Sequence, residues 1–299
     1  MRALITGGQG FVGGWLAAHL RSEGDEVAIV DVETDVADPA AIGPAIATHE
    51  PEVIYHLAAL AHVGESWAEP SRVLRVNVLG TAEVLAAARA LPNPPLVLVV
   101  SSAEVYGAVS ADQLPVHEEA PVTPVTPYAA SKAAAEQVAL QAWRGFGQPV
   151  TVVRPFNHIG PRQAPNFAVS ALARRIVEAR RVGAHELAVG ALTTRRDFTD
   201  VRDVVRAYRL LGAGSGIGGT FNVCSGHDVA IGDVAARLLE LAGADLELRT
   251  DPALLRPVDV PVLRGSSDHL AEVTGWKPEI PLDDTLRDVL DYWEAEGPS

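Results

Sequence analysis

The chain is poor in several residue types, and each scarcity closes a line of function. Its 299 residues include two lysines, Lys132 and Lys277, one cysteine, Cys224, and one methionine, and aromatic residues make up 5%. A single cysteine excludes an intrachain disulfide framework and suits a reducing cytosol. With no His/Asn constellation around it, Cys224 reads as a small buried strand residue rather than a nucleophile. No apolar run approaches the ~20 residues that span a bilayer, and the N-terminus enters a strand pattern at once. The expectation is a cytoplasmic protein with neither membrane span nor signal peptide. Positive charge is also scarce: 24 Lys and Arg against 38 Asp and Glu leave a net charge of −14, which repels nucleic acid and anionic membranes. An anionic ligand must then be met by a local arginine cluster. The nine histidines form no His-Glu-x-x-His or Cys/His cluster, so no metal is expected.

What is abundant is apolar surface, 48% of residues, enough for one large or two unequal domains. Short apolar runs at Arg2–Thr6, 27–30, 53–57, 96–101 and 150–154 alternate with helical patterns, one of them from about Pro70 to Ala90. Strands alternating with helices predict a Rossmann-type, doubly wound parallel sheet, α/β in class. After about Pro155 the alternation loosens and Pro/Gly punctuation thickens. The expected division is a dinucleotide-binding domain over 1–160 and a smaller α/β substrate domain over 161–299, with a return to the first near 190–215. The glycine-rich stretch 212–219 reads as a flexible loop.

Gly7, Gly10 and Gly13 form G-x-x-G-x-x-G between the first strand and a helix opened by Phe11 and Val12. Glycines let the backbone approach a pyrophosphate, and helix N-terminal N–H groups receive its charge. Asp31 closes the second strand, where a carboxylate can accept from an adenosine ribose 2′-hydroxyl and repel a 2′-phosphate. No arginine neighbours it in sequence, so NAD(H) is favoured and NADP(H) remains possible; Asp35 and Val36 are placed to hold the adenine. The fourth strand ends in Ser101-Ser102-Ala-Glu104-Val-Tyr106-Gly, at the carboxyl edge where open α/β sheets bind ligands. There Ser102 suits a hydrogen bond to a substrate carbonyl and Glu104 acid/base work. Tyr128 and Lys132 stand four apart on an alanine-rich helix, on one face of it. Bringing a phenol from its ordinary ~10 towards neutrality takes roughly 3–4 kcal/mol of favourable charge, which a nearby ammonium can largely supply. Such a phenol exchanges protons with a substrate oxygen at neutral pH.

These motifs, with His56-Leu-Ala-Ala59 and Asn77-Val-Leu-Gly-Thr81, occur in the order found in the extended short-chain dehydrogenase/reductases, which the chain resembles. Later runs narrow the resemblance: Arg154-Pro-Phe-Asn-His-Ile-Gly-Pro161, Arg195-Arg-Asp-Phe-Thr-Asp-Val-Arg-Asp-Val204, Phe221-Asn-Val-Cys-Ser-Gly226 and Thr274-Gly-Trp-Lys-Pro-Glu-Ile280. Together they are most similar to the GDP-4-keto-6-deoxy-D-mannose reductases, over essentially the whole length, with the GDP-mannose 4,6-dehydratases close by. The resemblance implies that Tyr128 protonates a sugar C4 oxygen as hydride arrives from NAD(P)H, with Lys132 lowering the phenol's pKa. It places Leu57, Ala58, Ala59, Ser101 and Pro155 at the cofactor and Asn77 behind Lys132. It places Ser102, Glu104, Asn157, Arg196, Arg256 and Asp259 at a GDP-sugar. Relatives of this kind form homodimers through a helix bundle, which the small residues Ala129, Ala133 and Ala134 permit. At Gly160-Pro-Arg-Gln163 the reductases usually carry Gly-Pro-Gly-Gln, so Arg162 leaves the loop geometry open.

The product would be a GDP-6-deoxyhexose, GDP-D-rhamnose or its C4 epimer. A dehydratase, which returns its own hydride, or an epimerase is the alternative, and Glu104 keeps it open. Against it, only Val32-Glu-Thr separates Asp31 from Asp35, where the dehydratases carry a longer, Arg-bearing cofactor clamp. A dinucleotide-sensing regulator is the reading outside enzymes, disfavoured because Ser102, Tyr128 and Lys132 all stand.

Overall fold

The computed structural model describes residues 1–254 and 260–297. Five strands of the first half are parallel: β1 (Arg2–Thr6), β2 (Glu26–Val30), β3 (Val53–His56), β4 (Leu96–Val100) and β5 (Val150–Pro155). Their Val/Ile/Leu-rich runs are covered on both faces, as a sheet wrapped by helices requires. One face packs on Leu16, Leu20, Val204, Val205 and Tyr208, the other on Ile42, Ile46, Val84, Leu85 and Ala139. The strand order is β2-β1-β3-β4-β5, with a sixth strand from the second half beyond β5, so the winding reverses beside β1, and a crevice opens outside the carboxyl ends of β1 and β3.

The helices of this half are α1 (Phe11–Ser22), α2 (Pro39–His49), α3 (Val63–Ser66), α4 (Pro70–Leu74), α5 (Gly80–Arg89) and α6 (Pro127–Phe146). Local residues set both ends of α6. The Thr126 hydroxyl accepts from the Ala129 N–H at 3.0 Å, Pro127 takes the first turn, and Gly147 closes the helix at φ +66°. The single helix expected over 70–90 is interrupted. A wide turn at Arg75–Leu79, whose last bond runs from the Gly80 N–H to the Arg75 carbonyl, separates α4 from α5. Gly80 lies where a Cβ would come within 2.7 Å of Val36, so the turn sets the helix tightly against the loop after β2.

The second half adds β6 (Asn157–Ile159), α7 (Ala168–Arg181), β7 (Glu186–Val189), β8 (Arg195–Asp200), α8 (Val201–Leu210), β9 (Thr220–Val223), β10 (Asp228–Ala230), α9 (Ile231–Ala242), β11 (Glu247–Thr250), β12 (Val262–Leu263), α10 (Asp268–Thr274) and α11 (Leu282–Ala295). A small sheet β10-β8-β12, with β6 also on β8, packs with α7, α9 and α11 around Leu172, Ile176, Phe198, Leu238 and Leu286. Two elements return to the large sheet: α8 packs on α1, and β9 pairs with β5 as the sixth strand. The glycine-rich stretch before β9 is closely packed rather than loose. A Cβ at Gly216 would lie 2.6 Å from Phe221, and one at Gly212 would lie 2.1 Å from the Tyr55 hydroxyl. Among the described residues no helix is long and apolar enough to cross a membrane.

Candidate active site

The crevice at the sheet's carboxyl edge continues between the two halves as a cavity of about 820 Å³. Its floor is the glycine turn. Gly7 sits at φ +72°, with room for a Cβ denied by the Ala58 N–H at 2.8 Å; at Gly13 a Cβ would strike the Gly7 carbonyl at 2.3 Å. The first allows the turn and the second seats α1 against it. α1 begins at Gly10 with no side-chain cap, and Gly7, Gly10, Phe11, Val12 and Gly13 all line the cavity. This is the cradle an anionic diphosphate fits. Asp31 lines the cavity too, its carboxylate accepting from Gln9 N at 2.5 Å and Val32 N at 2.8 Å. The short segment after it closes as a turn, Thr34 N to Asp31 O at 2.8 Å, so that Asp35 and Val36 join the same wall. Leu57, Ala58, Ala59, Ser101 and Pro155 complete the expected lining.

At the opposite end lie Ser102, Glu104, Tyr128, Lys132 and Asn157. Ser102 follows β4 and caps the short turn of 103–106, accepting from the Glu104 N–H at 3.2 Å. Its hydroxyl lies close enough to the Tyr128 phenol to favour the phenolate. Tyr128 enters α6 with its N–H on the Ser66 hydroxyl at 3.2 Å. Lys132, one turn on, donates to the Val100 carbonyl at 2.8 Å. Burial pushes the Tyr128 phenol up to about 12, against the pull of the Ser102 hydroxyl and with the Glu104 charge adding to the rise. Burial pulls Lys132 down to about 8. The phenol expected to be tuned towards neutrality is instead held firmly protonated. Burial costs the phenolate more solvation than the Ser102 hydroxyl returns.

A buried ionic layer backs these groups. Ser101 donates to Glu136 at 3.0 Å, Glu136 is paired bidentately with Arg154, and Arg154 also donates to the Tyr106 hydroxyl and the Glu118 carbonyl, both at 2.9 Å. Tyr106 in turn donates to Asn222 at 2.7 Å. His56 is buried between the Thr6 and Thr81 hydroxyls at 2.8 and 3.0 Å, held neutral by burial and by the Lys132 charge, and is structural. Cys224 is buried, which pushes its thiol well up, as suits an unreactive core residue.

Three expectations are corrected. Asn77 does not line the cavity. It sits behind the wall, accepting from Leu60 N at 2.8 Å and donating to Ser131 at 2.8 Å, so it pins the loop after β3 to α6 through Ser131, not Lys132. Arg196 is buried on β8, donating to the Arg195 and Val260 carbonyls at 2.8 and 2.7 Å, and does not line the cavity. There it braces β8 against Val260. Arg256 and Asp259 lie outside the described residues. Third, the wall beside Asp31 is not free of arginine: α4 and the wide turn bring Arg72 and Arg75 to it, with Arg75 paired to Asp35 at 2.6 Å. Sequence reading also passed over His62, Gln163, Phe167 and Tyr208, which line the cavity. His62 meets Phe167 edge-on at 6.1 Å, and Phe11 stacks on His158 at 6.2 Å, so aromatic contacts join the two halves across the cavity. Only His62 carried a signal, since it stands three residues past Ala59. Arg162 adopts φ +73°, the left-handed conformation that the glycine usual at this place adopts freely.

The GDP-mannose 4,6-dehydratase family model matches residues 31–289. The chain is 40% identical to the GDP-6-deoxy-D-mannose reductase of Pseudomonas aeruginosa over 298 residues, 98% of this chain and 97% of the relative. Among solved structures it superposes on RMD from Pseudomonas aeruginosa complexed with NADPH, with a TM-score of 0.91, 37% identity and 99% and 100% of the two chains covered. The UDP-glucose 4-epimerase of Thermus thermophilus in complex with NAD follows at a TM-score of 0.89, 28% identity and coverage of 98% and 99%. With its glycine turn, Ser-Tyr-Lys constellation and six-stranded sheet in place, the chain belongs to the GDP-mannose 4,6-dehydratase family of the extended short-chain dehydrogenase/reductases.

Proposed function

We propose that the protein reduces the C4 ketone of GDP-4-keto-6-deoxy-D-mannose to a GDP-6-deoxyhexose, using NADH or NADPH. The observation that carries this reading is the Ser102–Tyr128–Lys132 constellation, its phenol kept protonated by burial, at the end of a cavity whose other end is the glycine cradle. The likeness to the Pseudomonas reductase over nearly all of both chains supports the same substrate.

The lining fits a dinucleotide. The glycine turn and the uncapped start of α1 would hold the diphosphate, Asp31 the adenosine ribose, and Lys132 with Tyr128 the nicotinamide ribose. When bound, the cofactor supplies the hydride that the ketone carbon accepts. The remaining chemistry falls to side chains. Ser102 donates to the C4 oxygen and polarises the carbonyl. Tyr128 passes its proton to that oxygen as negative charge develops there. The Lys132 ammonium stabilises the phenolate that is left, and the proton is regained from solvent.

Residues 1–160 would carry the cofactor and 161–299 mainly the sugar nucleotide, with Asn157 at the junction. We also propose a homodimer through α5 and α6, where Leu79, at the end of the wide turn that leads into α5, is exposed at 55% and Phe146, the last residue of α6, at 58%. The protein would work in the cytoplasm.

Incubation with GDP-4-keto-6-deoxy-D-mannose and reduced cofactor should consume the two in equal amounts, with the product's C4 configuration read by proton coupling constants. Conversion of GDP-mannose with no net change in cofactor absorbance would instead establish a dehydratase, the reading that Glu104 in the cavity favours. In that case Glu104→Gln would abolish turnover. For the reductase, Glu104→Gln is expected to cost less than about tenfold.

A further inference from the structure

The adenosine end of the cavity holds an unexpected balance of charge. Two carboxylates, Asp31 and Asp35, and two guanidiniums, Arg72 and Arg75, line it. The four are not equivalent. Asp31 is occupied by backbone N–H groups of the glycine turn and its own loop. Asp35 holds the Ala37 N–H at 2.9 Å with one oxygen and the Arg75 Nη2 at 2.6 Å with the other. Arg72 is engaged by Glu69, the residue just before its helix, at 2.8 Å.

The Asp35–Arg75 pair is half exposed on both sides, at 45% and 50%. Such a pair contributes little net stability, because solvent already screens it and two side chains are immobilised to make it. A guanidinium has five donors in a planar fork, and Asp35 engages only one of its ends. A phosphate monoester carries more charge than a carboxylate and accepts that fork bidentately. A 2′-phosphate arriving at this wall therefore competes well for Arg75, whereas a bare 2′-hydroxyl has Asp31 to accept its proton and no need of the arginine.

We propose that Arg75 is the residue that lets this site take NADPH as well as NADH, and that Asp35 is its resting partner and the brake on NADPH affinity. The proposal rests on the reading of the cavity as a nicotinamide-dinucleotide site. Its origin is long-range: the wide turn at Arg75–Leu79, packed through Gly80 on Val36, delivers the guanidinium to a loop forty residues earlier in the chain.

The test is direct binding, followed by the fluorescence of NADPH and NADH on titration into the purified protein, independent of turnover. Arg75→Gln is expected to raise the NADPH dissociation constant about tenfold or more and to move that of NADH by less than about twofold. Asp35→Asn, which releases Arg75, should shift the ratio of the two constants towards NADPH by about threefold or more. Arg75→Lys should retain part of the preference, since it keeps the charge and loses the fork. An equal loss for both cofactors in Arg75→Gln, no loss for either, or a selective loss that appears only in Arg72→Gln would overturn the assignment. Failure of the unaltered protein to bind either cofactor would overturn the dinucleotide reading itself, and this proposal with it.

Discussion

The Lys132 ammonium donates to the Val100 carbonyl at 2.8 Å, tying α6 to the end of the central strand β4. The carbonyl fixes where the ammonium stands, one helical turn from the Tyr128 phenol, and burial lowers Lys132 to about 8. Tyr128, at about 12, keeps its proton well beyond that. The rate of ketone reduction should therefore fall as pH rises through about 8, because the ammonium that stabilises the phenolate is lost, and Lys132→Met should lack this alkaline limb while turning over slowly at every pH. Stability has its own sign. A lysine whose folded pKa of about 8 lies below the ordinary 10.5 carries its full burial penalty below 8 and is relieved between the two values. Urea midpoints at about pH 7 and pH 10 should show the unaltered protein gaining on Lys132→Met at the higher pH.

Tyr128→Phe removes the acid and leaves the cavity's shape intact. Turnover is expected to drop about 10²–10⁴-fold, well beyond the loss of cofactor affinity that follows from removing one contact to the nicotinamide ribose. Ser102→Ala, which removes one donor to the same oxygen, should cost about 10²–10³-fold in kcat. Steady-state kinetics beside a cofactor titration separate these losses from a binding defect.

The Glu136–Arg154 pair lies behind Ser101, fully enclosed. Glu136→Gln leaves a buried guanidinium uncompensated, and removing one partner of such a pair costs about 3–5 kcal/mol. Chemical denaturation should show that loss. Combining Glu136→Gln with Arg154→Met should recover much of it, as replacing both charges does.

Arg162 pays for its left-handed backbone, at about 1–2 kcal/mol for a non-glycine residue. Glycine removes that strain but adds about 0.4–1 kcal/mol of freedom to the unfolded chain. Arg162→Gly should thus stabilise by about 0.5–1 kcal/mol, visible as a small rise in the urea midpoint.

The sheet was legible in the sequence because its strands are local apolar runs bounded by turn signals, and β1 is found where Arg2–Thr6 reads as a strand. The glycine turn and the Tyr128–Lys132 spacing were legible for the same reason: each is a short-range pattern whose physics is complete within a few residues. What escaped depends on pairs distant in the chain. Nothing near Asp35 announces Arg75, and nothing near Arg196 says that its guanidinium will be taken up by the carbonyl of Val260. The direction of the Tyr128 shift escaped as well, because spacing shows that a cation is near but not how much water the phenol loses.

The return of β9 to the edge of β5 sets an order on how the protein must be made. Val152 pairs with Thr220, so during synthesis β5 is complete long before its neighbour exists, and its outer row of N–H and C=O groups waits bare while the chain for α7, β8 and α8 emerges. The ribosome cannot finish the cofactor half first and append the sugar half afterwards. The two are braided, and separating them at residue 160 would yield a sheet with an open flank rather than a smaller enzyme.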